Sequence, residues 1–120
     1  PEIITNIIPG ISSISAAAAL SNFNLAIKGE TLIIKECPSY KQELVDLISI
    51  NREKKTVLVL MKVGKRWEWV KNLLKKENMI SKSVIAINVG MTDQVVQEVS
   101  KFDLNKVPYF SFLLMRFDND

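Results

Sequence analysis

Histidine is absent from the 120 residues, and cysteine occurs once, at Cys37. Without histidine there is no Ser–His–Asp or Cys–His relay. Imidazole metal sites go with it, and a lone thiol gives no thiolate cluster, so no metal ligand set is expected. A single cysteine cannot close an internal disulfide, which makes a reducing compartment, the cytoplasm, the expected location. No stretch approaches the ~18 consecutive apolar residues of a membrane span, and no membrane partner is expected. A Walker loop and a dinucleotide-binding glycine fingerprint are missing as well. Sixteen Lys and Arg against thirteen Asp and Glu leave a net charge of +3, scattered and too small for a nucleic-acid footprint. The start, Pro1-Glu2-Ile3-Ile4, lacks Met and has no basic region before an apolar core, so a signal peptide is not expected in these residues. It opens almost inside a strand, and something is expected to precede it in the intact protein.

What is present is apolar and alternating. Hydrophobic residues make up 48%, enough for one packed domain at this length. Strand-like and helix-like runs alternate with short connections, which predicts a single αβα layer domain of the α/β class with a mixed five-stranded sheet. Strands are predicted over residues 2–8, 31–34, 56–61, 83–89 and 108–115, with 95–99 as an optional short strand. The 56–61 run is apolar throughout, the mark of a strand buried on both faces. A small-residue helix is predicted from Ser12 to Leu20, stopping near Asn22, with Ser12 or Ser13 able to cap it. A second helix follows Ser39, read as an N-cap with Gln42 completing a capping box. A third, over 66–77, puts Trp67, Val70, Leu73 and Leu74 on one side and lysines on the other.

Three segments lie at predicted strand ends: Pro9-Gly10-Ile11-Ser12-Ser13, Met61-Lys62-Val63-Gly64 and Gly90-Met91-Thr92-Asp93-Gln94. Ligands of open α/β sheets gather outside the carboxyl ends of strands, and glycine there lets a ligand touch backbone directly. Each glycine serves a plain turn equally well. Ser12 and Ser13 suit helix capping, Met61 suits core filling, and Cys37 reads as packing, since nothing nearby would activate its thiol.

The segment Ile7-Ile8-Pro9-Gly10-Ile11-Ser12-Ser13-Ile14-Ser15-Ala16-Ala17-Ala18-Ala19 resembles an element of the tetrapyrrole (corrin and porphyrin) methylases. Val59-Leu60-Met61-Lys62-Val63-Gly64 and Val107-Pro108-Tyr109-Phe110-Ser111-Phe112-Leu113-Leu114 are similar to strings of the branch that methylates C20 of precorrin-2. The resemblance covers nearly the whole chain, 1–120, as the C-terminal domain of such an enzyme. The family's N-terminal domain, with its own glycine-rich loop, is absent from these residues.

The resemblance implies S-adenosylmethionine as methyl donor and precorrin-2 or cobalt-factor II as tetrapyrrole substrate, in cobalamin biosynthesis. It implies a homodimer for the full-length protein and little activity for this half alone. It assigns cofactor contacts to Ser12, Ser13, Met61 and Gly90, with Met91-Thr92-Asp93-Gln94 departing from the branch pattern. No catalytic residue is assigned. Lys62, Lys65 and Arg66 suit the acetate and propionate groups of a tetrapyrrole, and equally a solvated face. Two competing readings stand beside this one: a non-catalytic α/β module binding a small ligand or partner, and another branch such as uroporphyrinogen-III methylation.

Overall fold

The computed structural model describes residues 9–21, 23, 29–103 and 105–117, with the backbone alone for 9–12. The strand expected at 2–8 lies outside the described residues. Helix α1 (Pro9–Leu20) is followed by β1 (Thr31–Glu36), α2 (Lys41–Asn51), β2 (Thr56–Met61) and a 3-10 turn at Gly64–Arg66. Then come α3 (Trp67–Lys76), a 3-10 turn at Ile80–Lys82, β3 (Ser83–Ile87), β4 (Val95–Glu98), a 3-10 turn at Val99–Lys101, and β5 (Ser111–Phe117).

The strands form one mixed sheet in the order β1-β2-β5-β3-β4. β1 and β2 are parallel, and β5 runs antiparallel to both of its neighbours, β2 and β3. Alternation along β2 decides the layering, because successive side chains point to opposite faces. Leu58 and Leu60 face a cluster with Leu44 and Ile48 of α2 and Trp67, Val70, Leu73 and Leu74 of α3. Val57 and Val59 face Ile14, Ala17 and Ala18 of α1. Both clusters are closed to solvent along β2, from Val57 to Leu60 at 0% exposure. The fold is therefore the expected αβα layering on a mixed five-stranded sheet. Trp67 anchors the larger cluster, edge-on to Phe102 with ring centroids 5.9 Å apart.

Several local expectations are corrected. α1 begins at Pro9, where proline's missing N–H costs nothing because first-turn donors have no helical partner. Ser12 and Ser13 therefore sit inside the helix and not at its cap. The residue capping α2 is Tyr40, with no side-chain cap bond, so Ser39 falls one position too early. Its hydroxyl accepts from Arg66 at 3.2 Å, and Gln42 donates to Asp46 at 2.9 Å. β3 stops at Ile87 because Asn88 turns left-handed, φ 49°. β5 starts at Ser111, three residues later than expected, because the Ser111 hydroxyl donates back to the Pro108 carbonyl at 2.8 Å and closes a turn there.

Candidate functional site

The parallel and antiparallel pairings carry particular strand ends to one edge. Met61, the last residue of β2, pairs with Phe112; Ile87, the last of β3, pairs with Ser111. Both strands thus finish beside the start of β5, which lies between them. Their ends are two strand spacings apart, roughly 10 Å. β1 finishes there too, and the Cys37 N–H donates to the Met61 carbonyl at 2.8 Å.

Beyond those two ends the chain makes matching turns. Met61-Lys62-Val63-Gly64 has positive φ at Lys62 (58°) and Gly64 (50°). Ile87-Asn88-Val89-Gly90 has positive φ at Asn88 (49°) and Gly90 (90°). Left-handed backbone is costly for any residue with a Cβ, which is crowded against the carbonyl oxygen there, and such outliers gather at functional positions. The shared pattern of an apolar strand, a polar residue, valine and glycine is a short internal repeat of the sequence.

Ser111 organises the edge from its middle. Its hydroxyl accepts the buried Gly64 N–H at 3.1 Å, and its carbonyl accepts the Val63 N–H at 3.1 Å. The Gly64 donor is therefore committed to the fold. The Gly90 N–H is held differently, by the exposed side-chain oxygen of Gln94 at 2.9 Å, while Asn88 donates to Asp93 at 3.0 Å. A side-chain acceptor on an exposed loop is exchangeable for one on a ligand. A Cβ placed on Gly90 would meet nothing within 4 Å, so open space adjoins that turn.

The remaining site expectations are placed as follows. Met61 is half-buried and packs against the α1-side cluster, together with Ile34 and Val89. Ser13 is half-buried; for Ser12 only the backbone is described. Phe23, just past α1, lies under the Arg116 guanidinium at 4.5 Å. Ser21 and Phe23 line a hollow with Ser83 and Arg116, at the start of β3 and near the end of β5. The C-terminal end of α1 is thus at the far edge of the sheet. Its twelve residues span about 18 Å, and Ile14, Ala17 and Ala18 pack over Val57, Val59, Val84, Ala86 and Leu114 of the sheet.

Charge at this edge centres on Lys62, whose Nζ is 2.9 Å from Glu36 Oε1. That hydrogen bond, with the charge of Lys62, holds the Glu36 carboxyl below its ordinary range. The same bond and charge raise Lys62, with a further contribution from the Tyr109 phenol. Glu36 is a residue that sequence reasoning missed; its only signal was its position at the end of a strand parallel to β2. Cys37 is 4% exposed, and burial pushes its thiol up to about 11. Among the described residues no group of three or more His, Cys, Asp or Glu is placed to hold a metal ion. No helix of the described residues is long and apolar enough to cross a membrane.

A profile of the Tetrapyrrole (Corrin/Porphyrin) Methylases matches residues 1–104. A cobalt-precorrin-2 C(20)-methyltransferase from Salmonella typhimurium (strain LT2) is 27% identical over 113 residues, which cover 91% of this chain and 45% of that protein. The chain thus spans about half the length of the curated relative it matches. The solved structure of a cobalt precorrin-4 methyltransferase superposes with a TM-score of 0.58 at 20% identity, over 87% of this chain and 48% of that one. At that identity the likeness is one of fold.

Proposed function

The chain belongs to the tetrapyrrole (corrin/porphyrin) methylases, and on that premise we propose that it forms the C-terminal domain of an S-adenosylmethionine-dependent enzyme that methylates C20 of precorrin-2 or cobalt-factor II in cobalamin biosynthesis. The observation that carries the reading is the pair of matching turns after β2 and β3, which flank the start of β5 at one sheet edge. The similarity to a cobalt-precorrin-2 C(20)-methyltransferase supports the choice of position, as do the Met61-Lys62-Val63-Gly64 and Pro108-Tyr109-Phe110-Ser111 strings.

The residues present fit a nucleoside. Open space adjoins Gly90, its N–H is held only by an exchangeable amide, and Met61 brings a half-buried apolar side chain beside the same edge. In this proposal Ser12 and Ser13 hold the methionine end of S-adenosylmethionine, the Met61 backbone reads the adenine, and Gly90 lines the adenosyl pocket. The cofactor supplies a methyl group already activated as a sulfonium, so the chain need not supply a nucleophile. Its residues bind, orient and exclude water, and holding reactants in line supplies roughly 7–11 kcal/mol of a barrier. No general base is assigned. The N-terminal domain provides the opposite wall of the cleft, and the full-length protein is a homodimer.

Calorimetry with S-adenosylhomocysteine tests the reading. Weak, saturable binding to the 120-residue chain is expected, with little or no methyl transfer to precorrin-2 by the chain alone. Absence of binding at the highest soluble ligand concentration would remove the cofactor assignment. Turnover by the isolated chain would remove the assignment of half a site.

A further inference from the structure

We propose that Lys62, Arg66 and Tyr109 form a carboxylate-binding rim for a flat, polycarboxylate ligand, and that Glu36 occupies this rim until the ligand displaces it. The inference rests on the methylase reading for the location of the substrate, and on the following geometry for everything else.

The chain has three arginines. Arg52 pairs with Glu77 at 2.8 Å and Arg116 with Glu30 at 3.0 Å. Arg66 differs: its bonds among the described residues go to neutral oxygens, the Lys62 carbonyl at 3.3 Å and the Ser39 hydroxyl at 3.2 Å. These contacts fix the guanidinium beside Lys62 and use two of its five N–H donors, leaving part of a fork that matches carboxylate geometry. Among the described residues no carboxylate hydrogen-bonds this guanidinium, and the nearby Glu36, whose carboxyl feels its charge, is the group an incoming carboxylate would displace.

Lys62 supplies the second cation. Its left-handed φ of 58° is a conformation that glycine would adopt without strain, and the chain keeps lysine there. Its partner Glu36 is held by an exposed ion pair, with side-chain exposures of 44% for Lys62 and 65% for Glu36. Solvent screens such a pair, so it exchanges readily. The Arg116–Glu30 pair, at 19% and 6% exposure, is built to stay.

The shape of the ligand follows from the aromatics. Tyr109 and Phe110 stand 56% and 71% exposed, edge to face at 5.2 Å, just before β5. The Tyr109 phenol is near enough to the Lys62 ammonium to help raise it, which joins the apolar surface to the cations. Exposed aromatics beside paired cations suit a ligand with an apolar, planar body and carboxylates at its margin. Glu36 then acts as an internal competitor that keeps Lys62 from binding single small anions.

Quenching of uroporphyrin fluorescence tests this, with the uncharged octamethyl ester as the comparison ligand. Uroporphyrin should bind and the ester should not. Arg66→Gln and Lys62→Met should each weaken binding by roughly tenfold, the size of a charge-assisted hydrogen bond. Glu36→Gln should tighten it a few-fold, an effect that general destabilisation would not produce. Lys75→Ala, on the exposed side of α3, should leave it unchanged. The proposal is overturned if wild type fails to bind uroporphyrin, if the ester binds equally, or if Glu36→Gln and Arg66→Gln behave as wild type. Wild-type binding of S-adenosylhomocysteine, measured in parallel, separates the two claims. If it persists while uroporphyrin ignores the variants, only the rim is lost; if it is absent while the variants respond as stated, only the methylase reading is lost.

Discussion

Ser111 Oγ accepts the buried N–H of Gly64 at 3.1 Å across 47 residues of chain, and donates to the Pro108 carbonyl at 2.8 Å. One hydroxyl thereby ties the turn after β2 to the start of β5. Replacing it by alanine strands a buried donor, which costs about 1–3 kcal/mol. Ser111→Ala is expected to lower the melting temperature by roughly 4–8 °C per kcal/mol lost, as for small domains. Thermal unfolding followed by circular dichroism checks this, and an unchanged midpoint would mean that water replaces the hydroxyl.

The two turn glycines should respond unequally to alanine. At Gly64, φ is +50° and a Cβ would lie 3.4 Å from the Tyr109 Cα, inside a buried turn. At Gly90, φ is +90° with open space around the added atom. Left-handed alanine costs about 1–2 kcal/mol, and the exposed turn can relax to reduce that. Urea unfolding should therefore show the greater loss for Gly64→Ala.

The layers of the fold were legible because each β2 residue faces one of two apolar clusters, and a continuous run of valine and leucine announces that. The Trp67, Val70, Leu73 and Leu74 stripe was equally plain, and all four are buried. What failed was punctuation. Ser39 looked like a cap, yet α2 starts one residue later and Ser39 instead accepts from Arg66. Tyr109 and Phe110 looked like strand, because aromatics favour strands, while the Ser111 hydroxyl, bonded to the Pro108 carbonyl, holds them in a turn before β5. In the second case aromatic propensity hid a local turn bond; in the first, a bond between distant segments, Arg66 to Ser39, decides, and no local pattern carries it. The pairing of Lys62 with Glu36 was illegible for the same reason: it depends on β1 and β2 being parallel neighbours.

Cys37 should be inert at neutral pH. Its ordinary value of 9.0 is raised to about 11 by burial, so the folded state keeps the thiol protonated. Alkylation by iodoacetamide at pH 7.5 is expected to be much slower in the folded chain than in urea. The sign for stability follows: below pH 9 both states hold the proton and nothing is lost. Between about 9 and about 11 only the unfolded state gives it up, and stability falls. Cys37→Ala should flatten that alkaline decline.

Lys62→Gly should separate stability from binding. Glycine removes the cost of the left-handed φ of 58° at this position, partly offset by its greater freedom in the unfolded chain. A melting temperature a few degrees higher, together with weaker uroporphyrin binding, is the expected pair of results, checked by thermal unfolding and fluorescence quenching.

Chemical-shift mapping of the isotopically labelled chain with S-adenosylhomocysteine tests the central claim most directly. The amides of Ser13, Met61 and Gly90 should move together and saturate on one curve, while Ser83 and Arg116 at the far edge stay still. Shifts centred on the far edge, or the same small drift at every amide, would contradict a nucleoside wall built from these turns.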